Sequence, residues 1–398
     1  MLRGMEKKSM KKKLIRITTI PISLKILLAD QLRFMNRYFE VIGVSSQGSE
    51  LKEVEQKEGV RTIALDMSRK ITPIKDTLSL IKMIVLFLKE RPYIVHTHTP
   101  KAGIVGMLAA WITRVPHRLH TVAGLPVMEA TGKKKKVLLF VEKLTYFCAT
   151  KVYPNSKGLK TYILEHHLTK PNKLKVIGYG SSNGIDSDYF KRDKDIISRS
   201  IDIKHHYNLD GRFVFSFVGR IVKDKGINEL LSVFDKMSKE FSSISLLLVG
   251  TFEEYLDPIS DISKKILIEN KNVIQIGFQK DIRPFLAASD CFVLPTYREG
   301  FPNVVLQACS MELPCIVTDI NGCNEIIENN KNGIIVKPKN EEELYFAMKS
   351  FLEDKTLAQR LSKNTREEIV KRYDRKEFFQ YLLKEYNTLK SKHKGSKC

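Results

Sequence analysis

The rhythm of the chain constrains its fold more than any other feature. Short apolar runs rich in β-branched and aromatic residues alternate with longer stretches of helical period. This is the pattern of βαβ units, which build parallel sheets covered by helices. In the first half the expected strands are Lys13 to Thr18, Phe39 to Ser45, Thr62 to Asp66, Ile94 to Thr97, His117 to Val122 and Lys151 to Pro154. Helical stretches fall between them at Ser23 to Tyr38, Ile74 to Glu90, Gly103 to Thr113, Lys136 to Thr150 and Ser156 to Glu165. Near Lys175 to Asp186 the rhythm breaks into VIGYGSSNGID, whose Gly, Ser and Asn mark a boundary. It then restarts, with strands expected at Phe213 to Val218, Ser245 to Val249, Val273 to Ile276, Cys291 to Leu294, Cys315 to Thr318 and Gly333 to Val336. Helices are expected at Gly226 to Phe241, Asp281 to Ala288, Val304 to Met311, Asn324 to Glu328, Glu341 to Leu352 and Thr356 to Arg372. The reading is α/β, with two Rossmann-like domains facing across a cleft: residues 1–185, residues 186–375, and a helical basic tail, 376–398, packing back toward the first. Ligands of such sheets bind at the carboxyl ends of the strands.

Composition excludes disorder, since 43% hydrophobic and 28% charged residues are what a globular chain of 398 residues carries. The net charge of +22 implies an anionic partner, and its placement is uneven. Residues 1–190 hold 33 lysines and arginines against 15 acids, whereas the remainder holds 34 against 30. The six cysteines form no CxxC pair and no zinc spacing, and read as buried residues or free thiols in a reducing compartment. The best apolar run, Leu78 to Leu88, is too short to span a bilayer and is interrupted by Lys82. MLRGMEKKSMKKK leads into a strand-like LIRITTI rather than a signal-peptide core, so an intracellular chain is expected.

Two segments of the second half carry chemistry. In Phe217-Val-Gly-Arg-Ile-Val-Lys-Asp-Lys-Gly-Ile227, a strand end turns at Gly219 into a helix, presenting Arg220 and Lys225 beside the helix's positive end, a setting suited to a diphosphate. In Thr296-Tyr-Arg-Glu-Gly-Phe-Pro-Asn-Val-Val-Leu-Gln307, Glu299 and the backbone of Gly300 to Asn303 open another helix. A carboxylate aimed at sugar hydroxyls beside backbone N–H groups reads as a nucleotide-sugar pocket. In the first half, His96 and His98 share one strand face by their i, i+2 spacing and are expected to line the cleft, with no third ligand at metal spacing. His120 follows on the next strand, as a candidate for the cleft or as a packing residue. Lys133, Lys134, Lys135 and Lys136 precede the apolar Val137-Leu-Leu-Phe-Val141, the make-up of an interfacial anchor, although a solvated loop before a core helix is the alternative.

VHTHTPKAG, NGID, FVGRIVKDKG, SDCFVLPTYREGFPNVVLQA and PCIVTDINGCNEII stand in this order between about Lys13 and Tyr373. On these segments the chain resembles the retaining glycosyltransferases of family 4, which have the GT-B fold. The resemblance implies that Arg220 and Lys225 hold the donor diphosphate and that Glu299 meets the donor hexose. It also implies that Gly219, Gly300, Phe301, Pro302 and Asn303 cradle sugar and phosphate, and that the first domain binds the acceptor. Two positions depart from the family pattern. Gln307 stands where a second glutamate grips the ribose, so charge-assisted strength is lost there. Ala123 stands where many members place a histidine near the reacting sugar. Asp186-Ser-Asp188 spells DxD, but in the interdomain connection, and neither a metal nor another cofactor is expected. The expected reaction moves a hexose or N-acetylhexosamine from a nucleotide sugar, UDP-linked, to an undecaprenyl-diphosphate-linked saccharide in capsule, O-antigen or related glycan assembly. The protein would then sit at the inner face of the plasma membrane, bound peripherally to anionic lipid. The alternatives are a glycosyltransferase with a soluble sugar or sugar-phosphate acceptor and a basic nucleic-acid-binding protein. The second lacks an aromatic stacking platform and every helix-turn-helix or zinc-finger spacing.

Overall fold

The computed structural model describes residues 11–68, 72–128, 130–253, 257–354, 356–363 and 365–391. The chain divides into two units, one of residues 1–155, 159–183 and 378–398, the other of residues 156–158 and 184–377.

The first unit contains β1 (Lys13–Ile17), α1 (Pro21–Leu27), α2 (Gln31–Asn36), β2 (Glu40–Ser45), α3 (Glu50–Glu58), β3 (Arg61–Ala64), α4 (Pro73–Glu90), β4 (Ile94–His98), α5 (Pro100–Ile112), β5 (His117–Val122), α6 (Gly132–Cys148) and β6 (Lys151–Pro154). Next comes α7 (Lys157–Glu165). The six strands form one parallel sheet in the order β3-β2-β1-β4-β5-β6, with Ile15 paired to Ile42 on one side and Val95 on the other. A parallel sheet covered on both faces wants apolar residues throughout its central strands. Accordingly, β4 is buried at all five positions.

The second unit contains α8 (Lys194–His206), β7 (Phe213–Val218), α9 (Ile227–Glu240), β8 (Ile244–Val249), α10 (Asp261–Glu269), β9 (Val273–Gly277), α11 (Arg283–Ala287), β10 (Cys291–Leu294), α12 (Asn303–Ser310), β11 (Cys315–Thr318), α13 (Cys323–Ile326), β12 (Gly333–Val336), α14 (Glu341–Glu353), α15 (Leu357–Ser362) and α16 (Thr365–Tyr373). Its parallel sheet runs β12-β11-β10-β7-β8-β9. Both sheets therefore reverse their order of growth once, between β1 and β4 and between β7 and β10. Such a switch point parts the loops at the strand ends and leaves a crevice for a ligand.

The last helix, α17 (Arg375–Ser391), returns to the first unit. Phe378, Phe379, Leu382, Leu383, Tyr386 and Leu389 recur at helical spacing and are buried with Leu14, Phe39, Ile94 and Leu119.

Helices α3, α8 and α10 fall where the sequence reading expects none, and three expected helical stretches have different bounds. The stretch Ser23 to Tyr38 is two helices, because Asp30 adopts φ 62° between them. The buried Glu58 carboxylate accepts the Asp30 N–H at 2.9 Å and the Arg33 N–H at 3.0 Å, so a residue of α3 caps α2. Apolar periodicity runs through this break and cannot reveal it. The stretch Thr356 to Arg372 is likewise two helices, α15 and α16. Helix α6 begins at Gly132 rather than Lys136, which places all four lysines inside its first turn and the residue beyond. The five described cysteines are buried without disulfides, while Cys398 lies outside the described residues.

Candidate active site

The loop after β7 is shaped by close backbone approaches. A Cβ on Gly250 would fall 1.7 Å from the Gly219 carbonyl oxygen, so the ends of β7 and β8 touch through their backbones. A 3-10 turn, Lys223–Lys225, leads to Gly226, whose φ of 71° caps α9. A Cβ on Gly226 would lie 2.0 Å from the Pro295 carbonyl oxygen. Only glycine fits there, and it seats the β7 loop directly on the residue that follows β10. Asp224 completes the junction, its carbonyl accepting the Tyr297 N–H at 2.9 Å and the Thr296 hydroxyl at 3.2 Å.

The loop after β10 is held from β11. Asn321 donates through Nδ2 to the carbonyl of Glu299 at 2.5 Å and to that of Gly300 at 3.3 Å. Phe301 is buried against Tyr373, with ring centres 5.4 Å apart, and Pro302 caps α12. Gln307 is half-buried on α12.

These loops bring six charges together at the switch point of the second sheet. Lys225 Nζ and Glu299 Oε1 form an ion pair whose side chains are only 16% and 17% exposed. Arg220 donates to Glu253 at 2.7 Å and lies 3.8 Å from Asp224, while Arg298 reaches Asp224 at 2.9 Å. Partial burial opposes the charge on Arg220. The Glu253 hydrogen bond and the fields of Glu253, Asp224 and Glu299 outweigh it and hold the guanidinium above its ordinary pKa. The cluster can accept an anion, because a diphosphate would offer Arg220 and Lys225 the oxygens now supplied by Glu253 and Glu299. Release of Glu299 from Lys225 would leave a carboxylate ready to accept hydrogen bonds from hydroxyl groups. Asp224, Arg298 and Asn321 stand inside the quoted segments, yet their spacing gave no reason to single them out. Glu253 carried no signal at all, since only the contact of β7 with β8 brings it to Arg220.

His96, His98 and His120 lie inside the fold of the first unit. His96 and His98 stack with ring centres 4.5 Å apart, as their shared strand face requires. His96 meets the Tyr386 hydroxyl at 2.6 Å and the Thr121 hydroxyl at 2.7 Å, and His98 Nε2 accepts from Arg16 at 2.8 Å. His120 bonds Thr97 Oγ1 at 2.8 Å and sits under Gly103 of α5, where a Cβ would come within 2.5 Å of its ring. Burial holds all three below the ordinary histidine pKa, His120 at about 4; the charges of Arg16 and neighbouring histidines press His96 and His98 the same way. Lys133, Lys134 and Lys136 are exposed and Lys135 is half-buried. Asp186 pairs with Arg375 at 3.3 Å and Asp188 with Lys376 at 2.7 Å. Among the described residues no three His, Cys, Asp or Glu side chains come together to hold a metal ion.

Known proteins share this architecture. Residues 29–180 match the family described as glycosyl transferase 4-like domain, and residues 199–368 match glycosyl transferases group 1. The capsular polysaccharide biosynthesis glycosyltransferase CapM of Staphylococcus aureus is 35% identical over 384 residues, 96% of this chain and 99% of that protein. The UDP-Gal:alpha-D-GlcNAc-diphosphoundecaprenol alpha-1,3-galactosyltransferase of Escherichia coli is 32% identical, over 76% of this chain and 77% of its own. The crystal structure of Anabaena Alr3699/HepE in complex with UDP superposes with a TM-score of 0.79 at 18% identity, covering 95% of this chain and all of that one. It shares the GT-B fold.

Proposed function

The chain belongs to family 4 of the glycosyltransferases, and from that premise we propose that it moves a hexose or N-acetylhexosamine, with retention, from a UDP-sugar to an undecaprenyl-diphosphate-linked saccharide. The observation that carries the donor half is the charge cluster at the β7/β10 switch point, where Lys225, Glu299 and Arg220 meet beside α9 and α12. Arg220 and Lys225 bind the donor diphosphate. Glu299 accepts hydrogen bonds from the sugar, and the N–H groups of Gly300, Phe301 and Asn303 face sugar and phosphate. Gln307 reaches the ribose through its amide oxygen, without the strength of a charge.

The reaction is a front-face displacement. The bond from the sugar's anomeric carbon to the diphosphate breaks, a bond to the acceptor oxygen forms on the same face, and the acceptor's proton passes to the leaving diphosphate. Charge develops on that leaving group, so the two cations and the helix ends do most of the catalysis. No metal ion takes part.

Support for the acceptor half comes from the substrate in the name of the Escherichia coli relative and from the capsular role in that of CapM. Lys133 to Lys136 add to it. They lie at the positive end of the α6 dipole, with no acid in the first turn, an arrangement that an anionic lipid surface relieves. No helix among the described residues is long and apolar enough to cross a membrane, so contact with the bilayer would be peripheral.

The test combines purified protein, a synthetic undecaprenyl-diphosphate saccharide and a panel of nucleotide sugars, with and without EDTA, reading product mass and linkage. A new α-linked sugar on the lipid acceptor, formed equally in EDTA, is expected. Transfer only to a soluble sugar or sugar phosphate would replace the acceptor reading.

A further inference from the structure

The first unit has a switch point of its own, between β1 and β4, and a cavity of about 800 Å³ opens there. Its volume is that of pockets which enclose whole small ligands, about 300–1,000 Å³. The walls are apolar and come from three helices: Leu80 of α4, Ile104 and Leu108 of α5, Leu138 and Val141 of α6, with Ile20 beside them. Polar residues also line it. Thr19 and Thr99 share a hydrogen bond of 2.7 Å, Lys101 pairs with Asp76 at 2.5 Å, and Lys134 stands at the lining. Glu142 closes part of the wall. Burial lifts its carboxyl to about 7 although Tyr146 pulls the other way, a mark of how little water that wall receives.

The outside of the same helices is also apolar. On α4, Ile74, Leu78, Ile81, Val85 and Leu88 follow at intervals of three and four, and all are more than half exposed. On α6, Val137, Phe140 and Phe147 are exposed, and Trp111 of α5 lies 6.1 Å from Phe147. An apolar cavity, an unpaired apolar helix face and a run of lysines thus occupy one side of one unit. An apolar chain attached to an anionic head matches all three, and a membrane lipid presents that chemistry.

We propose that the cavity between α4, α5 and α6 holds the head-proximal isoprene units of the acceptor's polyprenyl chain while the outer face of α4 lies on the bilayer. The proposal rests on the lipid-linked acceptor described above and adds the place where the lipid is held. The enzyme then draws its acceptor's chain from the bilayer into the protein, which fixes the diphosphate near Lys101.

Two readouts test it. In the first, Ile104→Phe and Leu138→Phe each fill the cavity, and transfer is compared between two acceptors bearing the same saccharide diphosphate, one on undecaprenol and one on methanol. With melting temperature unchanged, kcat/KM for the undecaprenyl acceptor falls about tenfold or more, as for the lost burial of a few methylenes, while the methyl acceptor is unaffected. Equal rates with both acceptors, or equal losses, overturn the proposal. In the second, a photoreactive polyprenyl diphosphate labels the wild-type protein, and peptides are mapped by mass spectrometry. Label on α4, α5 and α6 supports the cavity; label elsewhere, or label erased by excess phosphatidylglycerol, overturns an isoprenoid site. The labelling needs no sugar transfer, so an enzyme that labels there yet glycosylates only soluble acceptors would refute the proposed function and not the cavity.

Discussion

At the scale of the residue, removing Arg220 or Lys225 tests whether the cations at the β7/β10 switch point are catalytic or structural. Arg220→Ala and Lys225→Ala each remove one of the two cations proposed to bind the leaving diphosphate. We expect kcat to fall by about 10² to 10³ while the urea midpoint stays near wild type, since both residues lie on a loop rather than in the core. Full activity in either variant would remove that residue from the mechanism. The buried histidines set the response to acid. His96, His98 and His120 stay neutral in the fold below pH 6.5, whereas in the unfolded chain they take up protons there. Stability is therefore lost as pH falls from about 6.5 toward 4, at about 1.4 kcal/mol per pH unit for each proton. Glu142 acts in the opposite sense. Its raised pKa makes the folded state the one that keeps a proton between 4.5 and about 7, so its contribution declines as pH rises through that window. Urea titrations should show a midpoint climbing from pH 4.5 to 6.5 in wild type. Glu142→Gln should climb more steeply and exceed wild type at pH 8 by about 1–3 kcal/mol. A flat profile would mean that the histidines are hydrated.

At the level of the element, the loop after β7 depends on one glycine and the proposed lipid contact on one helix end. Gly226→Ala must accommodate a methyl group at φ 71° and 2.0 Å from the Pro295 carbonyl. Strain of this kind costs about 1–3 kcal/mol and displaces Lys225 from Glu299, so stability and turnover should fall together. Loss of turnover at an unchanged urea midpoint would show that the loop moved without strain. At α6, replacing Lys133 to Lys136 by alanine relieves an unfavourable end charge and removes the attraction to anionic lipid. The variant should melt no lower than wild type but sediment less with phosphatidylglycerol liposomes. Equal recovery would discount the docking role. Twelve strands stand where apolar alternation placed them, to within a residue or two at either end. The break at Asp30 was invisible because Glu58, 28 residues away, makes the cap that permits it.

At the scale of the whole molecule, the chain leaves the first unit, builds the second and returns in α17 to finish the first. Ending the protein after Lys376 would remove six buried side chains of α17, at roughly 1.5–3 kcal/mol each. That matches or exceeds the ~5–15 kcal/mol that holds a typical domain folded. Limited proteolysis of the truncated protein should degrade the first unit and spare the second; a protease-resistant first unit would show that α17 is dispensable. The sequence by itself determined the two sheets and the segments at which the proposed donor chemistry is read. Strand periodicity, turn glycines and short motifs are local, so they can be read without coordinates. Tertiary structure decided what depends on residues far apart in the chain. It gave Glu253 to Arg220, buried the three histidines beneath α5 and α17, and split a helix with a distant carboxylate. It also opened an apolar cavity between helices whose individual sequences mark them only as core. Each of these follows from packing, and packing brings together side chains that no local pattern relates.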